Sequence, residues 1–168
     1  MAKKIFWILI SLVLISIIII AVLNITVVKF CFIDYKGNPE ISYIKILTLP
    51  SNKTEALKKL IDEYLKYAKN SYVNSELLPY MKLKNVKVIK NQCVINMGMI
   101  KSYDTQNSSF AETRSLVMLF KTIKEYDNNI NIFKISGLEK YFKHIDTRFP
   151  LSLDGNNLII LIEGSNES

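Results

Sequence analysis

The chain has one histidine, His144, and two cysteines, Cys31 and Cys93, in 168 residues. That inventory leaves a Cys and His zinc site without its ligands, and it forces any Ser-His-Asp or Cys-His mechanism to run through His144. No G-x-S-x-G elbow, P-loop, G-x-G-x-x-G, H-E-x-x-H or C-x-x-C is present. Long low-complexity tracts and convincing internal repeats are absent as well. Lysines alternate with acids, as between Lys53 and Lys69, so the one-sided cationic stripe of a nucleic-acid binder is missing. The formal net charge of +7 falls to about +5 once Lys3 and Lys4 are set aside, which fits a solvated lysine surface with a weak attraction for anionic lipid headgroups.

Apolar side chains, by contrast, are concentrated at one end. From Ile5 to Val28 there is no charge, and Ile5–Leu23 is interrupted only by Ser11 and Ser16. As a helix at about 1.5 Å per residue this run reaches roughly 29 Å, close to the hydrocarbon thickness of about 30 Å. A transmembrane anchor is therefore expected. A secretory signal has a shorter apolar region and a small-x-small cleavage site, whereas this run ends in Ala21-Val22-Leu23-Asn24. A lipoprotein signal needs small residues before its cysteine, but Lys29 and Phe30 precede Cys31. Lys3, Lys4 and the amino terminus favour a cytoplasmic N-terminus with the remaining chain outside.

Beyond the run, the pattern predicts one domain of two helices and several strands. Ile25–Ile33 and Ile41–Leu49, rich in β-branched residues and separated by a turn at Asp34–Pro39, predict an antiparallel hairpin. Asn52, with Glu55 three places on, caps a helix from Lys53 to Lys69 whose apolar face is Leu57, Leu60, Ile61, Tyr64, Leu65 and Ala68. Glu55 with Lys59 and Asp62 with Lys66 are spaced for ion pairs on its other face. Asn70–Tyr80 reads as an irregular connection.

Val86–Ile89 and Cys93–Met97 predict a second hairpin around Lys90-Asn91-Gln92, with Cys93, Ile95 and Met97 sharing a face. After a polar stretch from Ser102, Ser109-Phe110-Ala111-Glu112 forms a capping box that opens a helix to about Tyr126. Its core stripe is Leu116, Leu119, Phe120 and Ile123, widened by Val117 and Met118, so the helix should be covered on more than one side. Ile130–Ile135 predicts another strand, closed by Ser136-Gly137, and Phe149–Leu153 with Leu158–Ile162 predicts a last strand or strand pair around Asp154-Gly155-Asn156. Gly164–Ser168 is a polar tail.

Four positions could carry chemistry, each with a plainer role. Cys93, His144 and Asp146 could form a nucleophile, base and orienting acid, since His144 and Asp146 would point the same way on a strand; a surface or structural histidine is the simpler account. Glu112 aligns with Leu116, Leu119 and Phe120, so it could be a buried acid or base, yet as the third residue after Ser109 it can accept the cap residue's N–H. Gly137 fits a position of positive φ at a strand end. Cys31 and Cys93, both in strand-like apolar contexts, read as buried free thiols, with a disulfide as the alternative.

The chain resembles the GerMN domain, the sporulation and spore-germination domain of bacterial envelope proteins. The resemblance rests on the Val86–Met97 hairpin, on Glu112 followed by Thr122-Ile123, on Ile130–Gly137, and on His144-Ile145-Asp146 before Pro150. It spans about Val27 to Ser152. Asn91-Gln92 stands where the family has an Asp-Gly turn, and Ser136 where it has Asp before the glycine. The resemblance implies a non-enzymatic, membrane-associated α+β domain, similar to the ring-building domains of envelope machines, that acts by protein contacts.

The expected architecture is thus α+β: a transmembrane helix in residues 1–24, then in residues 25–163 a mixed or antiparallel sheet of five or six strands with two helices on one face. The expected function is that of an extracytoplasmic interaction or scaffold domain, single-pass in the bacterial cytoplasmic membrane, whose partners are other envelope proteins or further copies of itself. No catalytic residue, cofactor, metal or nucleic acid is expected. The alternatives are a module binding a peptide, glycan fragment or lipid, and an envelope hydrolase using Cys93, His144 and Asp146.

Overall fold

The computed structural model describes residues 2–23, 25–32, 41–70, 77–100 and 109–162. The expected turn at Asp34–Pro39, much of the Asn70–Tyr80 connection, the polar stretch from Ser102 and the Gly164–Ser168 tail lie outside these residues.

Among the described residues, three α-helices, a short 3-10 turn at Leu78–Tyr80 and seven strands follow in order: α1 Ala2–Leu23, β1 Ile25–Phe32, β2 Ile41–Thr48, α2 Lys53–Asn70, β3 Met81–Ile89, β4 Gln92–Met99, α3 Ser109–Tyr126, β5 Ile132–Ser136, β6 Leu151–Asp154 and β7 Asn157–Ile160. The class is α+β, but two features depart from the expected architecture.

The first concerns α1. Among the described residues no helix is long and apolar enough to cross a membrane, which overturns the expected transmembrane anchor and, with it, the single-pass topology. The side chains of α1 are described from Lys4 to Ile19. Its side chains are nevertheless apolar and exposed, Trp7 at 65% and Leu12 at 56%. Ser11 and Ser16 donate their hydroxyls back to the Trp7 and Leu12 carbonyls at 2.9 and 2.8 Å, so the two polar side chains are satisfied within the helix.

The second departure is in the sheets. β1 and β2 pair antiparallel as a separate two-stranded sheet, while β3-β4-β5-β6-β7 form a five-stranded one, parallel between β4 and β5 and antiparallel elsewhere. A single sheet of five or six strands is therefore corrected to two sheets of two and five. The physical reason lies at β1, where the Cys31 N–H donates to the Thr122 hydroxyl of α3 at 2.9 Å. A helix thus occupies a position that another strand would need. α2 packs on β3, while α3 packs on β1 and also on β6 and β7 at the other end of the larger sheet.

The core explains the local choices. Asn52 Oδ1 accepts the N–H groups of Thr54 and Glu55 at 3.0 and 3.1 Å, capping α2. Its apolar face is fully buried, and Tyr64 stacks on Phe32 at 4.8 Å while meeting Phe30 edge-on at 5.4 Å. The Tyr64 hydroxyl donates to the Cys31 carbonyl at 2.8 Å, so this large ring is buried without an unsatisfied polar end. On α3, Phe120 stacks on Phe133 of β5 at 4.0 Å. Val117 and Met118 turn instead toward Cys31, giving the cover on a second side that the wide apolar arc predicts. On α2, Lys66 pairs with Glu63 at 3.7 Å, one residue off the Asp62 spacing.

The two hairpins follow the alternation closely. Cys93, Ile95 and Met97 are buried together on β4, and the turn is Lys90-Asn91, with Lys90 at φ 55°. A register shift between Leu83 and Asn85 has no signal in the residue pattern. The tail resolves into the strand pair β6 and β7 around Gly155.

Candidate functional site

Most of the polar positions singled out from the sequence meet at one loop, residues 138–150, between β5 and β6. None of it is strand, so the shared direction expected of His144 and Asp146 on a strand is not realised. Turns and bends take its place, and three carboxylates together with three apolar side chains fix them.

Glu112 is the central group. It lies in the first turn of α3, is 0% exposed, and its carboxylate accepts three backbone N–H groups from the loop: Lys143 at 2.9 Å, His144 at 2.9 Å and Ile145 at 3.2 Å. Three donors and a carboxylate that only accepts make a matched set. Its expected job as a local cap is therefore replaced by a longer-range one. Ser109, the expected partner, accepts the Thr113 hydroxyl through its carbonyl at 2.8 Å.

Glu139 fixes the start of the loop. Both of its oxygens lie 2.9 Å from the Gly137 N–H, and Gly137 sits at φ 86°. A β-carbon there would stand 2.2 Å from the Met97 carbonyl oxygen, so both conformation and space demand glycine. Asp146 shapes the far end: it accepts Arg148 Nε and Nη2 at 2.8 and 2.6 Å and the Arg148 N–H at 3.1 Å. The Arg148 side-chain hydrogen bond, with the Arg148 backbone N–H and then its charge behind it, holds the Asp146 carboxyl below the usual carboxylate range. Leu138, Phe142 and Ile145 pin the segment from beneath.

The ordered loop borders an open hollow of about 410 Å³ whose lining includes Lys143, His144, Asp146, Thr147 and Arg148. Thr147 is buried, and its hydroxyl has no hydrogen-bond partner among the described residues. Cys93 does not line this hollow. It lies in the core, opposite Val88 and Phe133, and burial pushes its thiol up to about 12. The structure thus brings His144 and Asp146 together without Cys93, and it engages Asp146 with Arg148. Cys31 and Cys93 are both buried and no disulfide joins them, as the simpler sequence reading has it. Among the described residues no group of His, Cys, Asp and Glu is placed to hold a metal ion.

Sequence reasoning missed Glu139, Thr147, Arg148 and the loop's backbone donors. Arg148 and Thr147 carry no motif, and the N–H groups of Lys143–Ile145 are backbone, so side-chain identity could not reveal them. The short separation of Asp146 and Arg148 was the one available signal.

No family model matches the chain, and no curated protein matches it. Among solved structures it is similar to a Clostridium perfringens chain described as a lipoprotein, at 19% identity and a TM-score of 0.39, over 67% of this chain and 74% of that one. A TM-score this low does not establish a shared fold.

Proposed function

We propose that this protein is an interaction module of the bacterial envelope, associated with the membrane through its apolar N-terminal helix and acting by contacts with other envelope proteins rather than by turnover. The observation that carries this reading is the exposed loop 138–150 held in one shape by buried Glu112. A loop whose backbone is fixed in advance loses less conformational entropy on docking, so its exposed Lys143, His144 and Arg148 can contribute more of their contact energy to affinity. The GerMN-like pattern from the Val86–Met97 hairpin to Pro150 supports the same assignment, and α1 supports the membrane association.

The candidate chemical groups fit this reading better than catalysis. Cys93 is buried with its thiol pushed up to about 12, Asp146 is held by Arg148, and Glu112 serves the loop backbone. A second reading, small-ligand binding, is favoured by the 410 Å³ hollow and by the Thr147 hydroxyl, which has no partner among the described residues.

The test is affinity capture from detergent-solubilised envelope membranes, comparing the natural chain with a Lys143→Ala and Arg148→Ala double variant of equal abundance. Envelope proteins enriched by the first and lost by the second support the proposal. Identical capture by both removes the loop from the contact. Melting in the presence of peptide or glycan fragments separates the ligand-binding reading, which requires a rise in Tm.

A further inference from the structure

The outer face of the β1–β2 hairpin is apolar and open. Val27 stands opposite Ile46 in the antiparallel register, and with Ile25 and Ile44 they form a patch in which Val27 is 66% exposed and Ile44 and Ile46 are each 70% exposed. The same face of β1 is covered farther along, where Cys31 packs under Val117 and Met118. The exposed part is the end nearer α1.

Lysines border the patch. Lys29, next on the same face of β1, lies 3.4 Å from Glu125, and Glu125 shares with Lys121 and Lys124 the lining of a hollow of about 370 Å³ between α3 and the β6–β7 turn. Apolar strand residues with Lys29 beside them, and Lys121 and Lys124 outnumbering Glu125 in the neighbouring hollow, suit an interface with apolar material within and negative charge at its edge. Only Asn24 separates α1 from β1 in sequence, so Val27 lies no more than about 14 Å along the chain from the end of α1. Whatever apolar phase receives α1 is within reach of this face.

We infer that the Ile25, Val27, Ile44 and Ile46 face rests on an anionic lipid surface, with Lys29, Lys121 and Lys124 at its headgroups. This rests on the membrane association proposed above and adds how the folded domain is oriented on that surface: hairpin face down.

The test uses the full chain with an environment-sensitive fluorophore on Val27→Cys or Ile44→Cys, and on Lys87→Cys of β3 as the control. The native thiols are buried and stay unlabelled. Each labelled protein is mixed with vesicles of phosphatidylcholine alone or of an equal mixture of phosphatidylcholine and phosphatidylglycerol. At positions 27 and 44, but not at 87, aqueous iodide quenching should fall several-fold on the mixed vesicles. A Lys121→Glu and Lys124→Glu double variant should weaken that protection, by about five-fold in lipid affinity per lysine removed. Probes at 27 and 44 that stay as wet as the one at 87, while the protein still co-sediments with vesicles, overturn the orientation and leave the association standing. Loss of co-sedimentation overturns both. Protection equal on the two vesicle types overturns the anionic requirement, and protection by added unlabelled protein without lipid assigns the face to a second copy and overturns the inference.

Discussion

The buried carboxylate of Glu112 accepts the backbone N–H of His144 at 2.9 Å, joining the first turn of α3 to a loop 32 residues farther along the chain. The same carboxylate holds the N–H groups of Lys143 and Ile145, so its removal strands three donors at once.

Glu112→Ala should therefore destabilise the protein by about 3–5 kcal/mol, the order of cost for losing charge-assisted bonds and leaving buried donors unpaired. Glu112→Gln keeps one acceptor oxygen but turns an amide N–H₂ toward backbone donors, and should recover only part of the loss. Urea unfolding measures both, and hydrogen exchange at Lys143–Ile145 should accelerate well before global unfolding.

Gly137 and Gly155 offer a matched pair. Both have positive φ, 86° and 58°, but an added β-carbon meets the Met97 carbonyl at 2.2 Å in one case and nothing within 4 Å in the other. Gly137→Ala should cost about 2–4 kcal/mol, from conformational strain plus overpacking, and Gly155→Ala about 1 kcal/mol from strain alone. Comparable losses in thermal unfolding would show that space at Gly137 is not the deciding factor.

Local features of this kind were legible in the sequence. The cap at Asn52, the end of α3 near Tyr126, the shared face of Cys93, Ile95 and Met97, and the positive φ at Gly137 all depend on residues close to one another. What escaped was set by distant pairings. Glu112 sits where a capping box would use it, and only the fold brings the loop's N–H groups near. The placement of α3 against β1, which keeps the two sheets apart, joins Cys31 to Thr122, 91 residues farther along. The candidate site was legible as residues but not as an arrangement: Glu112, Gly137, His144 and Asp146 stood out, while their convergence on one loop, and the exclusion of Cys93, did not.

Asp127 should give the fold an acid-sensitive contact between α2 and the end of α3. Burial alone would raise its carboxyl, but hydrogen bonds from Lys53 and from the Asn129 N–H, together with the Lys53 charge, outweigh it and hold the group below the usual range. A lowered folded pKa means stability that is present above the unfolded value of about 3.9 and lost as pH falls through the folded one. Asp127→Asn should lower Tm at neutral pH and flatten the decline of Tm below about pH 4. An unchanged slope in that acid window contradicts the assignment.

Cys93 should resist alkylation in the folded protein at neutral pH, because the thiolate is the reactive form and burial pushes its formation up to about 12. Iodoacetamide modification should occur only at the rate of opening and rise sharply once urea unfolds the chain. Rapid labelling of Cys93 under native conditions, read by peptide mass spectrometry, would restore it as a nucleophile candidate.

The most direct measurement is photo-crosslinking in intact envelope membranes with a photoreactive residue at exposed His144, compared with the same residue at exposed Lys87 on β3. Docking through the Glu112-clamped loop predicts discrete crosslinked envelope proteins from position 144 that are absent from position 87 and disappear when Glu112→Ala is added at matched abundance. Uncrosslinked monomer alone from position 144, at normal abundance, contradicts it.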